Sequence, residues 1–517
     1  MEQPQSHQAE EGSRRAWWEE RWFVALLVLL SAVPLLYPTV PPLVDLPGHM
    51  GRYRVQLDVD SSPWLWRYYG FHWAPIGNLG VDLLIWPLGK LMGLEPAVKL
   101  VVLAIPPLTV AGFLWVAREV HGRLPPTALF ALPFAYAHPF MYGFVNYALS
   151  IALAFLAFGL WLRLGRINRT QLRAILFVPI SVIVFFTHTY GWGVLGLLCF
   201  SAEAVRQHDR GGGWFRSVFW AGLQASTMAL PVLIMAAWRG ETHGGMIRGW
   251  FEWGKKWEYV IQALRDRWEW FDQGSLLIVA ALLMVALFHR KLSFSRNLLF
   301  SAFVLLVGYV LIPRTIFGST YADMRLVPFV IAVALLSIRF REPGQSQLAR
   351  TVAVAGLAFV LVRFGAHTAS LGMAAADQNA KLEALNHVPM GARVASMIGQ
   401  KQCNLAWEMP RNSHLGGMVI VRKHGFSNDQ WAIQGQNLLD LRYHSPGVFR
   451  ADPSEMVRAM HCRRRTAWRV DLAFRMLPHD KLDYLWLIDP PPINPAWTKD
   501  MTEVWRGPHS VLYRLHP

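Results

Sequence analysis

Apolar runs approaching the length of a bilayer crossing recur along this chain as far as Phe364, and no other feature limits its fold as strongly. A crossing needs ~20 mostly apolar residues in helical form, because the hydrocarbon core offers no partner to an exposed peptide group. Measured against that length, about eleven spans are expected. They lie near 22–37, 96–117, 124–141, 143–162, 172–186, 190–204, 215–238, 274–288, 297–312, 327–338 and 351–364. Composition agrees: 53% of the 517 residues are hydrophobic and only 16% are charged, which excludes an ordinary soluble enzyme. The expected fold class is mainly α, a polytopic membrane helical bundle.

The formal charge of +16 raises the question of nucleic acid, but the basic residues fall in short runs between apolar segments rather than in one stripe. Topology explains them better, and no nucleic-acid partner is expected. With the N-terminus inside, inner loops collect Arg14, Arg15 and Arg21, then Arg118 and Arg123, then Arg163, Arg166, Arg169 and Arg173. Later inner loops hold Arg206, Arg210 and Arg216, then Arg290, Lys291 and Arg296, then Arg339, Arg341 and Arg350. The opposite turns around His138 and His188 hold no Lys or Arg, as the positive-inside bias requires. An odd number of spans then leaves the C-terminal part outside. Pro34 and the bulky Leu35, Leu36 and Tyr37 give no small-residue cleavage site, so the first apolar run reads as a retained helix.

Three segments are expected outside the bilayer on one face: 38–95, 239–273 and everything after about Ser370. The domain division is therefore a membrane part, 1–369, and an extracytoplasmic α/β domain, 370–517. Strand-like pieces at 392–398, 418–421, 484–488 and 510–515 alternate there with helix-compatible segments such as 454–460. Cys403 and Cys462 both fall in this domain, where an oxidising compartment would permit a bridge, while Cys199 falls in a span. No CxxC or HExxH spacing occurs, and no residue reads as a metal ligand.

The first external segment carries most of the functional signal. From Asp45 the polar residues Asp45, His49, Arg52 and Gln56 recur at helical spacing, with Leu46, Met50, Tyr53 and Leu57 on the other side. This pattern predicts an amphipathic helix at the membrane surface, with its ionisable residues on one face. Pro47 suits a first helical turn, so Asp45 also reads as an N-cap. His72 follows in the turn Phe71-His72-Trp73-Ala74-Pro75-Ile76-Gly77-Asn78, and 79–92 is too short and too interrupted by Asp82, Pro87 and Lys90 for a span.

An external segment that opens with an acid, contains a Pro turn at Ala74-Pro75-Ile76-Gly77-Asn78 and a surface helix, and leads into a second helix resembles the GT-C superfamily of membrane glycosyltransferases. The layout is most similar to protein O-mannosyltransferase and aminoarabinose transferase types. The resemblance implies an inverting transfer from a polyprenyl-phosphate sugar donor to a glycan, lipid or protein acceptor, on the outer face of a cell inner membrane. It matches Asp45 to the family's catalytic acid. Many members have two adjacent acids, and Leu46 stands in the second place here, which bears on any divalent cation such a pair would hold.

Chemistry suggests the remaining candidates. The acceptor proton needs a base, Asp45, which His49 could orient or relieve of the proton. The departing phosphate needs arginine at the outer surface: Arg314 and Arg325, with Tyr321 and Asp323 between them, or Arg52 on the Asp45 face. Arginines there meet lipid headgroups or pair with Asp323 in the plainer reading. His138, and His188 with Tyr190, sit at outward turns, either packing or lining a shared cavity. The Trp-rich 239–273 segment reads chiefly as an interfacial anchor, with Glu241 as candidate second acid and His243 beside it. A transporter or flippase for a lipid-linked or small polar substrate is the competing class, although the spans hold few ionisable residues and no repeat is visible. A non-catalytic scaffold is a third.

Overall fold

The structure is a computed structural model that describes residues 15–237, 246–316, 318–341, 346–400, 403, 406–431, 438–463 and 467–516. Among these residues, Leu94–His121, Val145–Arg166, Thr170–Thr187, Glu269–Phe288 and Gln347–His387 are helical segments long and apolar enough to cross a bilayer. Trp214–Met228 and Leu230–Ala236, bent by 62°, make a sixth if counted together, and Arg21–Leu35, Arg296–Leu311 and Val327–Leu336 are shorter apolar helices. The chain is a helical membrane protein, and among the described residues fewer helices reach full crossing length than the number of apolar runs. The expected span at 124–141 is instead the 3-10 helix Pro126–Tyr136 and the turn His138–Met141, buried at every residue. Pro126 and Pro133 remove two backbone donors from this run. Packing fixes it: Phe130 stacks on Phe359 at 5.4 Å and Tyr136 on His367 at 4.9 Å, both partners lying on Gln347–Leu382.

The C-terminal part is a mixed sheet with short helices. Arg393–Gly399 runs parallel to Tyr484–Ile488 on one side. On its other side Phe426–Ser427 pairs with its start and Met456–Arg458 with its end, both parallel. Ser510–Arg514 and Thr502–Gly507 continue the sheet antiparallel beyond Tyr484–Ile488. Two local expectations fail here. The run 418–421 is not a strand but the helix Met418–Lys423, with all four of its apolar residues buried; a short apolar run is compatible with a buried strand or a buried helix alike. The segment 454–460 is not a helix; it contains the strand Met456–Arg458, whose parallel pairing buries Val457 completely. Tertiary pairing overrides the local preference in both. Cys403 and Cys462 are joined in a disulfide with their Cα atoms 5.0 Å apart.

Asp45 begins the helix Leu46–Asp58, but this helix is not a half-wet surface element. Leu46, Met50, Arg52, Tyr53, Val55 and Gln56 are all buried, so both expected faces are covered. One cover is the helix Gly80–Met92: Arg52 donates to Asp82 at 2.9 and 3.0 Å, Gln56 Nε2 donates to the Asp82 carbonyl at 2.8 Å, and Asn146 Nδ2 donates to Asp82 Oδ2 at 3.0 Å. The other cover is the C-terminal part. A Cβ on Gly417 would lie 2.6 Å from the Pro47 carbonyl oxygen and 3.0 Å from Gly48 Cα, so only glycine permits this approach.

Tyr69–Phe71 adds to the same union by pairing antiparallel with Leu439–Leu441. Val55, Leu65 and Tyr69 accordingly share one hydrophobic core with Ala395, Met397, Leu485 and Leu487. A second clamp is polar. Asp266 accepts from Ser370 Oγ at 2.8 Å and from Arg411, and pairs with His367 Nδ1 at 2.8 Å, while Asp272 accepts from Arg363 and from Trp407 Nε1, each at 2.8 Å. The helix Gln347–Leu382 carries through residue 370, so the expected domain boundary falls within one continuous helix.

Two substitutions test this account. Asp82→Ala leaves the Arg52 guanidinium buried without its counter-charge and is expected to cost about 3–5 kcal/mol; an unchanged denaturation midpoint of the detergent-solubilised protein would show that the pair is not structural. Gly143 has φ +96°, and a Cβ there would meet the Asp45 nitrogen at 2.7 Å. Gly143→Ala is expected to lose about 1–3 kcal/mol through strain and the forced shift of Asp45, read in the same melt.

Candidate functional site

Asp45 is held by its backbone and left free at its carboxyl. Its N–H donates to the Tyr142 carbonyl at 2.9 Å, and its own carbonyl accepts from His49 N at 3.0 Å. It occupies the N-cap position, yet its side chain makes no capping hydrogen bond. The plain explanation for an acid before a helix therefore does not account for this one. The nearest ionisable partner is His414, whose Nε2 lies 3.7 Å from Asp45 Oδ1. His414 Nδ1 is 2.7 Å from Asp429 Oδ1, and Asp429 Oδ2 accepts from Gly417 N at 2.6 Å. The result is a line of acid, imidazole and acid that joins the first segment to the C-terminal part.

The electrostatics follow from burial. Removing Asp45 from water pushes its carboxyl up to about 7; the charges of His414 and Arg325 pull it down, and those of Asp452 and Asp429 push it up. Burial alone would lower His414, but Asp429 and then Asp45 favour its charged form and raise it to about 9. Asp429 is raised by desolvation against the pull of His414. His49, one turn after Asp45, is pushed well down by burial and by the charges of Arg52 and His414, and its Nδ1 is buried without a partner. It therefore stays neutral. The Trp431 ring packs against both histidines, 5.3 Å from His49 and 4.8 Å from His414.

A cation stands over the same pocket. Arg325 is buried, with its guanidinium 4.4 Å from the Phe144 ring centroid and 5.7 Å from that of Tyr147, and Nη2 donates to Ser319 Oγ at 3.4 Å. Its Nε has no partner. Arg314 is engaged elsewhere, donating to Glu252 at 3.3 Å and lying 5.8 Å from the Tyr321 ring. Asp323 pairs with neither arginine: it is fully buried against Lys256 Nζ at 3.3 Å. Arg52 is committed to Asp82.

The other candidates are dispersed around this centre. Tyr321 packs 5.4 Å from Tyr142, whose carbonyl receives the Asp45 N–H. Tyr190 Oη donates to the Ala322 carbonyl at 2.8 Å, and His188 caps the helix Thr189–Asp209 by accepting from Tyr190 N at 3.0 Å. His138 is buried with neither ring nitrogen hydrogen-bonded. His72 pairs with Asp440 at 3.1 Å in the exposed hairpin-like contact of the two segments. Glu241 and His243 lie outside the described residues. Sequence reading missed His414, Asp429, Asp452, Glu455 and Trp431. The available signal was the polar run Asn428-Asp429-Gln430, closed by Trp431, directly after the strand Phe426–Ser427.

Comparison with known proteins comes at low identity. No family model matches the chain, and no curated protein sequence matches it. Among solved structures, the chain is similar to the crystal structure of ArnT from Cupriavidus metallidurans in the apo state, at 13% identity and a TM-score of 0.49, over 95% of this chain and 97% of that one. It is also similar to the crystal structure of ArnT from the same organism bound to undecaprenyl phosphate, at 12% identity and a TM-score of 0.47, over 95% and 96% of the two chains.

Proposed function

We propose that this chain is a GT-C glycosyltransferase that moves a sugar from a polyprenyl-phosphate donor to a hydroxyl or amine of a glycan, lipid or protein acceptor. In this reading the acceptor atom attacks the anomeric carbon, the bond from that carbon to the phosphate oxygen breaks, and the acceptor proton passes to Asp45. The polyprenyl phosphate leaves. One observation carries the reading above the others: an uncapped carboxyl, raised by burial to about 7, beside a buried arginine. A base whose pKa lies near the operating pH combines the right protonation state with a useful driving force. Arg325 supplies the fixed charge that a departing phosphate needs, and its free Nε supports that use.

The orientation is part of the proposal. The arginine bias of the loops supports a cytoplasmic N-terminus, with the Asp45 pocket and the C-terminal part on the periplasmic face of an inner membrane. Aromatic residues around Arg325, namely Phe144, Tyr147 and Tyr190, suit a sugar face or an isoprenoid chain. His49 stays a neutral neighbour of the base, and His414, raised to about 9, is the charged neighbour that favours the Asp45 carboxylate. Arg314, bound to Glu252, ranks behind Arg325 as the phosphate ligand.

Asp45→Asn keeps the size of the side chain and removes the base, so transfer from a lipid-linked sugar should fall by roughly 10²–10⁴-fold; a purified variant working at the native rate would sink the assignment. Arg325→Gln should weaken donor binding by about tenfold or more, and unchanged donor affinity would move the phosphate site away from Arg325. Uptake of substrate into sealed vesicles without a new covalent product would favour the transporter class instead.

A further inference from the structure

The strand lane beside Arg393–Gly399 is broken between Ser427 and Met456. Asn428 bridges the break with its side chain: Oδ1 accepts from Ser396 N at 2.7 Å, while Nδ2 donates to the Ser396 carbonyl at 3.2 Å and to Ser454 Oγ at 3.0 Å. Asp429 and Glu455 stand on either side of the break, and the Glu455 carbonyl still accepts from Ile398 N at 2.6 Å. With His414 they form a group whose ligand atoms all lie within 4.8 Å of one another, Asp429 and Glu455 fully buried and His414 nearly so.

Glu455 makes this more than an acidic cluster. It is fully buried, and among the described residues neither of its side-chain oxygens has a partner at ordinary hydrogen-bond geometry. Its neighbour is the carboxyl of Asp452, close enough that the two acids must share a proton or a cation. Arginine and lysine neutralise buried acids elsewhere in this protein, Arg411 at Asp266 and Lys256 at Asp323. Here three carboxyl groups, Asp429, Asp452 and Glu455, share one imidazole. Buried charge on that scale requires a proton or a cation.

We propose that His414, Asp429 and Glu455 bind a divalent first-row metal ion of the Mn²⁺ or Zn²⁺ class. One imidazole nitrogen and two carboxylate oxygens are a donor set that suits such ions and leaves a coordination position open. The set comes entirely from the C-terminal part. Asp45 stands next to it through His414 and belongs to the pocket the ion would face. These contacts exist whether or not the chain transfers sugar.

Mn²⁺ is the appropriate probe, because it disfavours the sulfur ligands that Cys403 and Cys462 would offer if reduced. The full-length protein in detergent, stripped with a chelator and titrated with Mn²⁺, is expected to silence the free-ion electron paramagnetic signal at one ion per chain. Glu455→Gln and His414→Gln should each weaken that binding by about tenfold or more. Melting of the chelated variants keeps the test clear of misfolding: Glu455→Gln removes a buried charge and should melt no lower than the chelated native chain. Failure of the native chain to take up Mn²⁺ would overturn the site and leave the acids sharing protons. Equal binding by both variants would overturn it too. Uptake is read without donor or acceptor, so inactivity in sugar transfer leaves this site standing, and absence of the ion leaves the transfer reading standing.

Discussion

The two hydrogen bonds of the Asp429 carboxylate organise the rest. One oxygen takes the N–H of Gly417 and fixes the glycine turn that meets Pro47 and Gly48; the other faces His414 and aims that imidazole at Asp45. A fully buried carboxylate is tolerated because both oxygens are engaged and an imidazolium is beside it. The backbone approach follows from the same contact, since only a glycine at 417 lets the carboxylate draw the turn that close. The aim of His414 at Asp45 is thus set by one residue on the far side of the chain.

Burial then does chemical work. Asp45 is not raised by a single like charge but chiefly by loss of water, as the closing of both covers over Leu46–Asp58 implies. Its pKa depends on how tightly the C-terminal part sits on that helix. The same dryness keeps His49 neutral and leaves Arg325 with an unanswered donor. His49 Nδ1, Arg325 Nε and both oxygens of Glu455 are buried without a hydrogen-bond partner among the described residues. Unsatisfied buried polarity in a native chain calls for a reason, and a ligand is the natural one.

Much of this was legible in residue order, and the failures share a cause. The membrane class, the helix after Asp45, the strands near 392–398, 484–488 and 510–515, and the mixed α and β character of the C-terminal part follow from hydropathy and periodicity. The surface placement of Leu46–Asp58 failed because an amphipathic pattern says which faces differ, not what covers the polar one. Arg52 looked available for substrate, yet a polar face can be buried when Asp82 and Asn146 answer it. The strand expected at 418–421 failed because a short apolar run records burial, not backbone geometry.

Sequence by itself determined that this chain crosses a membrane and that an acid stands at the start of a helix beyond its first apolar run, because hydropathy, prolines and helical spacing act between near neighbours. Only the tertiary structure decided what that acid meets. Gln430 donates to the Gly48 carbonyl across 382 residues of sequence, and His414, Asp429 and Glu455 converge by the same fold. Contacts of that separation leave no local signature, since their cost in chain entropy is offset only when a whole core closes around them.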